Sequence, residues 1–141
     1  MKRPSIKKMS HLGIVSKDPN QARAFFSNVL GLSAQGQEVV EEQKVAVEFF
    51  DVGESRLELL LPTTSDSPVA KFLEAKGGGV QHIALEVDNI EEWLAYLNHC
   101  NISLIDSTPR RGAHNTLIAF VHPRSTGGLL VELVQENKGH I

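Results

Sequence analysis

Four residues of types that commonly bind metal ions occur at nearly equal spacing in the sequence. His11 lies 47 residues before Glu58, and His82 lies 50 residues before Glu132. Each residue stands in a short apolar run that is typical of a β-strand. Two imidazoles and two carboxylates form a nitrogen and oxygen donor set that suits a divalent ion and leaves positions for water or substrate. This set predicts a catalytic metal site, because a purely structural zinc site more often uses cysteines.

Glu132 is the most informative of the four residues because it interrupts an apolar run, LLVELV. In an extended strand Glu132 shares one face with Leu130 and Val134, and the opposite face is also apolar. An ionised carboxylate in such surroundings requires a compensating cation, proton or set of hydrogen bonds. A single His or Glu in a strand is usually a surface residue, but four residues that recur at matching offsets indicate a shared role. We therefore expect all four side chains to bind one ion.

The four residues belong to a longer internal repeat. Residues 9–33 match residues 80–104 in order and type. Each copy begins with an apolar strand that contains a histidine and continues with an aspartate that can cap a helix, Asp18 or Asp88. An apolar stripe of about three helical turns follows in both copies. The repeat thus predicts two strand and helix units of the same design.

A strand-rich half follows each predicted helix. The helices are expected to stop at Gly31 and Asn101, which tolerate a left-handed backbone. The strands predicted after them are 45–50 and 56–62 in the first copy, and 117–121 and 129–135 in the second. These strands are expected to belong to a βαβββ module in each copy.

The predicted fold is α+β, with two paired βαβββ modules that form a curved, incomplete mixed β-barrel and hold the metal site in its cavity. Two half-open modules are expected to pair about a pseudo-twofold axis so that their polar ligands converge. Ser67 and Pro68 can start a helix between the modules, and three glycines can stop it. We expect a single domain over residues 7–141, divided into module one at about 7–62, a connector helix at about 66–77, and module two at about 79–135.

The composition excludes several classes of function. A net charge of −3 argues against a nucleic-acid surface. The amino-terminal segment does not resemble a secretory signal, and no apolar run approaches the length of a membrane span. A single cysteine, Cys100, excludes an intrachain disulfide and fits a reducing compartment. We expect a cytoplasmic protein that acts on a small molecule, with no nucleic acid and no membrane among its partners.

Three long segments carry a family resemblance: ELLLPTTSDSPVAKFLEAKGGGVQHIALEVDNIE, IDSTPRRGAHN and FVHPRSTGGLLVELVQ. They resemble the vicinal oxygen chelate superfamily and, within it, the methylmalonyl-CoA epimerase family. The resemblance covers almost the whole chain and implies an enzyme of the isomerase class that needs a divalent metal ion, either Co, Mn, Ni or Zn. It implies as metal ligands His11, Glu58, His82 and Glu132. The internal repeat singles out the same four residues.

The reaction that the resemblance implies is metal-dependent epimerisation of (2R)- and (2S)-methylmalonyl-CoA, a step of propionate metabolism. It proceeds by proton abstraction and return through a metal-stabilised enediolate. Inversion requires a carboxyl group on each side of the reacting carbon, and Glu132 and Glu48 are the expected catalytic pair. A gapless comparison places the family glutamate at Val47, so Glu48 needs a β-bulge or a register shift to point to the same side.

The loop before the last strand is expected to contact the substrate, an acyl-CoA. Its glycines and hydroxyls can present backbone N–H groups, and its arginine offers a positive charge to a carboxylate or phosphate. The predicted substrate-binding residues are His122, Arg124, Ser125, Thr126 and Gly127, together with His114 in an earlier loop. The resemblance is also compatible with a homodimer.

Two other functions remain open at the level of sequence. The first is a glyoxalase I-type lyase that acts on a glutathione hemithioacetal, because such enzymes can use the same four kinds of ligand. The SPVAKFL and HPRSTGG segments resemble the epimerases instead. The second is a non-catalytic small-molecule-binding protein on the same scaffold, although such proteins typically lack a complete ligand set.

Overall fold

The computed structural model of the protein describes residues 1–136, and these residues form two compact units. The first unit consists of residues 11–81. The second unit consists of residues 1–10 together with the chain from His82 onward. The end of the predicted domain, after residue 136, lies outside the described residues, and the single domain over 7–141 stays a prediction.

The first unit contains a mixed four-stranded sheet and two α-helices. Its strands are β1 (Ile6–Ser16, of which residues 11–16 belong to this unit), β2 (Ala34–Val40), β3 (Val45–Val52) and β4 (Ser55–Pro62). Its helices are α1 (Pro19–Arg23), which continues as a π-helix (Ala24–Val29), and α2 (Pro68–Lys76). The sheet has the order β2-β3-β4-β1, in which β1 runs parallel to β4 and the other neighbours are antiparallel.

The second unit repeats this design. Its elements are β5 (Gly78–Val87, from His82 in this unit), α3 (Ile90–His99), β6 (Arg110–Arg111), β7 (Leu117–Val121) and β8 (Val131–Gln135). The sheet has the order β5-β8-β7-β6, in which β5 runs parallel to β8 and the other neighbours are antiparallel. The predicted α+β class with two βαβββ modules is therefore confirmed.

The first helix begins as the sequence predicts but changes its winding. Asp18 caps α1, because its Oδ1 accepts a hydrogen bond from the Gln21 backbone N–H at 3.1 Å. After Arg23 the helix continues with π geometry, and the Leu30 N–H donates to the Phe25 carbonyl at 2.9 Å. The predicted stop at Gly31 is confirmed by its left-handed φ of 74°.

The start of α3 corrects the sequence prediction by one residue. The cap is Asn89, whose Oδ1 accepts from the Glu92 backbone N–H at 3.0 Å, and not Asp88. Asp88 instead places its Oδ1 3.4 Å from Lys7 Nζ. Both residue types cap helices well, so the sequence alone does not decide between these two adjacent candidates. Asn101 ends the segment with a left-handed φ of 62°, as predicted.

Each sheet buries one face against helices, here called its helix face. In the first unit the rings of Phe26 and Phe50 pack with their centroids 6.0 Å apart. In the second unit the core between the sheet and α3 consists of Val87, Ile90, Trp93, Leu94, Ala119 and Leu133. None of the helices in residues 1–136 has the length and apolar character that a membrane crossing requires. The face opposite the helix face carries the predicted ligands and is here called the site face.

Candidate metal centre

The strand register of the first unit places His11 and Glu58 on the site face. In the parallel pair of β1 and β4, His11 lies opposite Arg56 and Gly13 lies opposite Glu58. Residues that lie opposite each other on neighbouring strands point to the same face, as do residues two apart on one strand. His11 Nδ1 lies 3.3 Å from Glu58 Oε2. The two predicted ligands of this unit are therefore in contact.

Arg56 holds Glu58 in place. Its Nη2 donates to Glu58 Oε2 at 3.0 Å, and its Nε donates to the same oxygen at 3.3 Å. The guanidinium carbon lies 5.7 Å from the centre of the Phe49 ring. Sequence reasoning missed Arg56, although its position two residues before Glu58 on one strand was a usable signal. The arginine compensates part of the charge of this buried carboxylate.

The register of the second unit places His82 and Glu132 on its site face in the same way. Ala84 on β5 and Phe120 on β7 both lie opposite Glu132, and His82 is two residues before Ala84. His82 Nε2 lies 3.1 Å from Glu132 Oε1. The rings of His82 and Phe120 meet edge to face with their centroids 5.5 Å apart. This unit therefore also holds one imidazole against one carboxylate, beside an aromatic ring.

The donor atoms of both pairs fit a divalent ion. The four side chains belong to residues that are only 4–6% exposed to solvent. A ring nitrogen within 3.3 Å of a carboxylate oxygen in such dry surroundings requires a proton or a cation close to both atoms. Imidazole nitrogen and carboxylate oxygen are ligands that first-row divalent metals accept. The residues present are thus chemically suited to the ion that the sequence predicts.

The structure does not bring Glu48 together with His11 and Glu58, which corrects the expectation for this residue. Glu48 lies opposite Leu59, so it points to the helix face, whereas its neighbour Val47 points to the site face. The pairing of β3 with β4 is continuous from Val45 to Val52, so no bulge turns Glu48 around.

Arg23 of α1 holds Glu48 on the helix face. The Arg23 Nε lies 2.6 Å from Glu48 Oε1, and its Nη2 lies 2.8 Å from Glu48 Oε2. These hydrogen bonds raise the pKa of the Arg23 guanidinium above its ordinary value. Glu48 is therefore part of the contact between helix and sheet.

The loop before β8 has a defined internal structure. His122 precedes a 3₁₀ turn (Pro123–Ser125), and its Nδ1 accepts from the Arg124 backbone N–H at 3.1 Å. Ser103, in the segment that follows α3, makes two hydrogen bonds with the loop. Its Oγ accepts from Arg124 Nε at 3.0 Å, and its backbone N–H donates to Ser125 Oγ at 2.9 Å. This loop carries five of the six residues that the sequence predicts to bind substrate.

The end of the same loop is closed by Thr126. Its Oγ1 accepts from the Leu129 backbone N–H at 3.0 Å, and Gly127 between them has a left-handed φ of 83°. His114, the sixth predicted residue, lies in a separate 3₁₀ turn (Ala113–Asn115) with a left-handed φ of 56°. A non-glycine residue in this conformation is uncommon and is found more often at functional positions. Substrate binding by these residues stays a prediction.

Known proteins share this fold and much of this sequence. The family model of the glyoxalase/bleomycin resistance protein/dioxygenase superfamily matches residues 10–120. An uncharacterised Bacillus subtilis protein, YqjC, is 48% identical over 91% of this chain and 91% of its own length. The mitochondrial methylmalonyl-CoA epimerase of Bos taurus is 39% identical over 91% of this chain and 74% of its own length.

Among solved structures, a methylmalonyl-CoA epimerase in complex with methylmalonyl-CoA and NH4+ superposes with a TM-score of 0.88. It is 32% identical and covers 95% of this chain and 97% of its own. The chain therefore belongs to the glyoxalase/bleomycin resistance protein/dioxygenase superfamily, and it is an epimerase-like enzyme of the isomerase class.

Proposed function

We propose that the protein epimerises C2 of methylmalonyl-CoA and so interconverts its (2R) and (2S) forms. The observation that carries this proposal is the repeated His–Glu pair, one on the site face of each sheet. The relatives named methylmalonyl-CoA epimerase, and the solved relative that holds methylmalonyl-CoA, supply the substrate. The proposal thus has two supports: side chains that are suited to bind a cation, and relatives that are named methylmalonyl-CoA epimerase.

The proposed metal ligands are His11, Glu58, His82 and Glu132, and the proposed ion is Co, Mn, Ni or Zn. When bound, such an ion supplies positive charge beside the thioester carbonyl and lowers the cost of removing the C2 proton. Arg56 keeps the Glu58 carboxylate oriented on its strand through two N–H donors. An oriented carboxylate loses less entropy when it binds an ion, because its rotamer is already fixed.

Glu132 is the proposed proton-transfer residue on one side of C2. It lies within strand β8, and apolar neighbours on the same face, Ala84, Phe120 and Val134, exclude water from it. A carboxylate that accepts a proton directly from carbon acts best when water does not compete for it. In our proposal Glu132 removes the C2 proton of one epimer and returns a proton to the same side in the reverse reaction.

The acyl-CoA substrate is proposed to contact the loop before β8 and the turn at His114. Arg124 is exposed, and its Nε donates to Ser103 Oγ, which favours one direction of the guanidinium. A positive charge held in this way suits the carboxylate or a phosphate of methylmalonyl-CoA. Gly127 and Thr126 shape the turn so that backbone N–H groups can face an anion.

Deuterium incorporation at C2 tests the function. The metal-loaded protein is incubated with (2R)-methylmalonyl-CoA in D2O, and both exchange and conversion to the (2S) form are followed by NMR. We expect exchange and conversion with the wild type, and a loss of at least about 100-fold in the Glu132→Gln variant, since proton transfer by a side chain contributes at least this much. If the metal-loaded wild type catalyses neither, the epimerase assignment is wrong, and the glutathione hemithioacetal becomes the substrate to assay.

A further inference from the structure

Inversion at C2 needs a second proton-transfer group on the side opposite Glu132. Glu48 does not supply it, because its carboxylate is bound by Arg23 on the helix face. We propose that Glu38 is the second proton-transfer residue. This inference rests on the proposed epimerase function and names a residue that the sequence repeat does not reveal.

The strand register places Glu38 on the site face of the first unit. Glu38 on β2 lies opposite Val47 on β3, and Val47 lies opposite Leu60 on β4. Leu60 is two residues after Glu58 on the same strand, so all four side chains point to one face. Glu38 and Glu58, a proposed metal ligand, thus share a surface, with the buried Val47 on the strand between theirs.

A β-bulge in β2 is the reason that Glu38 points this way. Ala34 lies opposite Phe50, and a regular ladder from that pair would place Glu38 opposite Ala46, on the helix face. The register shifts by one residue between Ala34 and Gln37, so Glu38 lies opposite Val47 instead. Gly36, with a φ of +95°, occupies the shifted segment. Bulges commonly redirect a side chain beside an active site.

Among the described residues, the strands of the first unit carry three other carboxylates. They are less suited to act as the second proton-transfer residue. Asp51 lies opposite Arg56, and hence on the site face, but it is exposed near the end of β3. Glu58 is a proposed metal ligand, and Glu48 faces the helices. Glu38 is half-buried and has apolar Val47 beside it, which limits the access of water to its carboxylate. The register therefore leaves Glu38 as the best placed carboxylate in this unit.

The proposed step balances in protons and electrons. Glu132 takes the C2 proton as the C2–H bond breaks, and the bonding electron pair moves into the thioester carbonyl. The carboxyl group of Glu38 then gives a proton to the other side of C2, and the electron pair returns to form the new C2–H bond. The substrate leaves inverted, and the two carboxyl groups have exchanged protonation states. Proton exchange with solvent restores the protonation states of both carboxyl groups before the next turnover.

A Glu38→Gln variant tests the inference against Glu42→Gln, which removes an equal charge from an exposed residue nearby. Each epimer is incubated separately in D2O with metal-loaded protein. We expect Glu38→Gln to slow inversion at least about 100-fold while Glu132 still exchanges the C2 proton of one epimer. Metal content and melting temperature should match the wild type, and Glu42→Gln should behave as the wild type in every measurement.

Inversion at the wild-type rate in Glu38→Gln would overturn the inference and leave the epimerase function standing. Absence of exchange in the wild type would overturn the epimerase function itself, so the two failures are distinct. If Glu38→Gln binds less metal or melts earlier, Glu38→Asp replaces it, because the charge is kept and the carboxylate is withdrawn by one methylene. We then expect at least a 10-fold loss of inversion, with one epimer still exchanging, and an unchanged rate would overturn the inference.

Discussion

The buried carboxylates of the two units have different neighbours on their own strands. Glu58 is preceded two residues earlier by Arg56, which donates two hydrogen bonds to it. The corresponding residue before Glu132 is Leu130, which is apolar. The His82 imidazole lies 3.1 Å from Glu132. A bound cation is therefore expected to stabilise Glu132 more than Glu58, because a buried carboxylate without a cationic neighbour on its strand gains more from a metal charge.

The role of Glu48 can be tested at the same scale. A Glu48→Gln variant removes the charge that holds Arg23 to the sheet, and we expect the free energy of unfolding to fall by about 1 kcal/mol, since the pair is partly exposed. Inversion of methylmalonyl-CoA should stay within about 2-fold of the wild-type rate, because the carboxylate faces the helix. Urea unfolding and the NMR assay measure the two quantities. Loss of inversion in a stably folded variant would restore Glu48 as a catalytic candidate.

At the scale of elements, the cap of α3 provides a direct comparison between two adjacent residues. Asn89→Ala removes the acceptor for the Glu92 backbone N–H, and we expect it to reduce the free energy of unfolding by about 1 kcal/mol. Asp88→Ala removes only an exposed contact with Lys7 and should cost less than about 0.5 kcal/mol. Thermal or urea unfolding measures the loss in free energy of unfolding for both variants. A larger loss for Asp88→Ala would show that the cap has been misassigned.

The elements also show where sequence reasoning succeeds and where it stops. The strands that hold Glu58 and Glu132 could be predicted because a duplicated chain displays the same pattern twice. Strand β2 and its bulge could not, because a bulge is defined by the register against a partner strand, and Gly36 alone does not specify that register. Glu38 therefore appears as a site-face residue only in the structure. The corresponding edge position of the second unit, opposite Ile118, holds Arg110, so the repeat gives no hint of it.

At the scale of the whole molecule, the central proposal is that one metal ion takes its ligands from both copies of the repeated sequence. Each unit supplies one imidazole and one carboxylate from corresponding strands, β1 and β4 in the first, β5 and β8 in the second. Duplication explains why the same residue types recur at nearly equal spacing. A shared ion would then make the metal affinity depend on both halves of the chain.

Metal stoichiometry tests this claim most directly. The purified protein is loaded with Co, dialysed, and analysed by elemental mass spectrometry beside the variants His11→Ala and His82→Ala, with His99→Ala, on the surface of α3, as the matched control. We predict one ion per chain in the wild type and in His99→Ala. In each of the other two variants we predict at least about 10-fold less Co after dialysis, since each removes one proposed ligand. Two ions per chain, or an unchanged Co content after removal of either His11 or His82, would contradict the proposed ligand set.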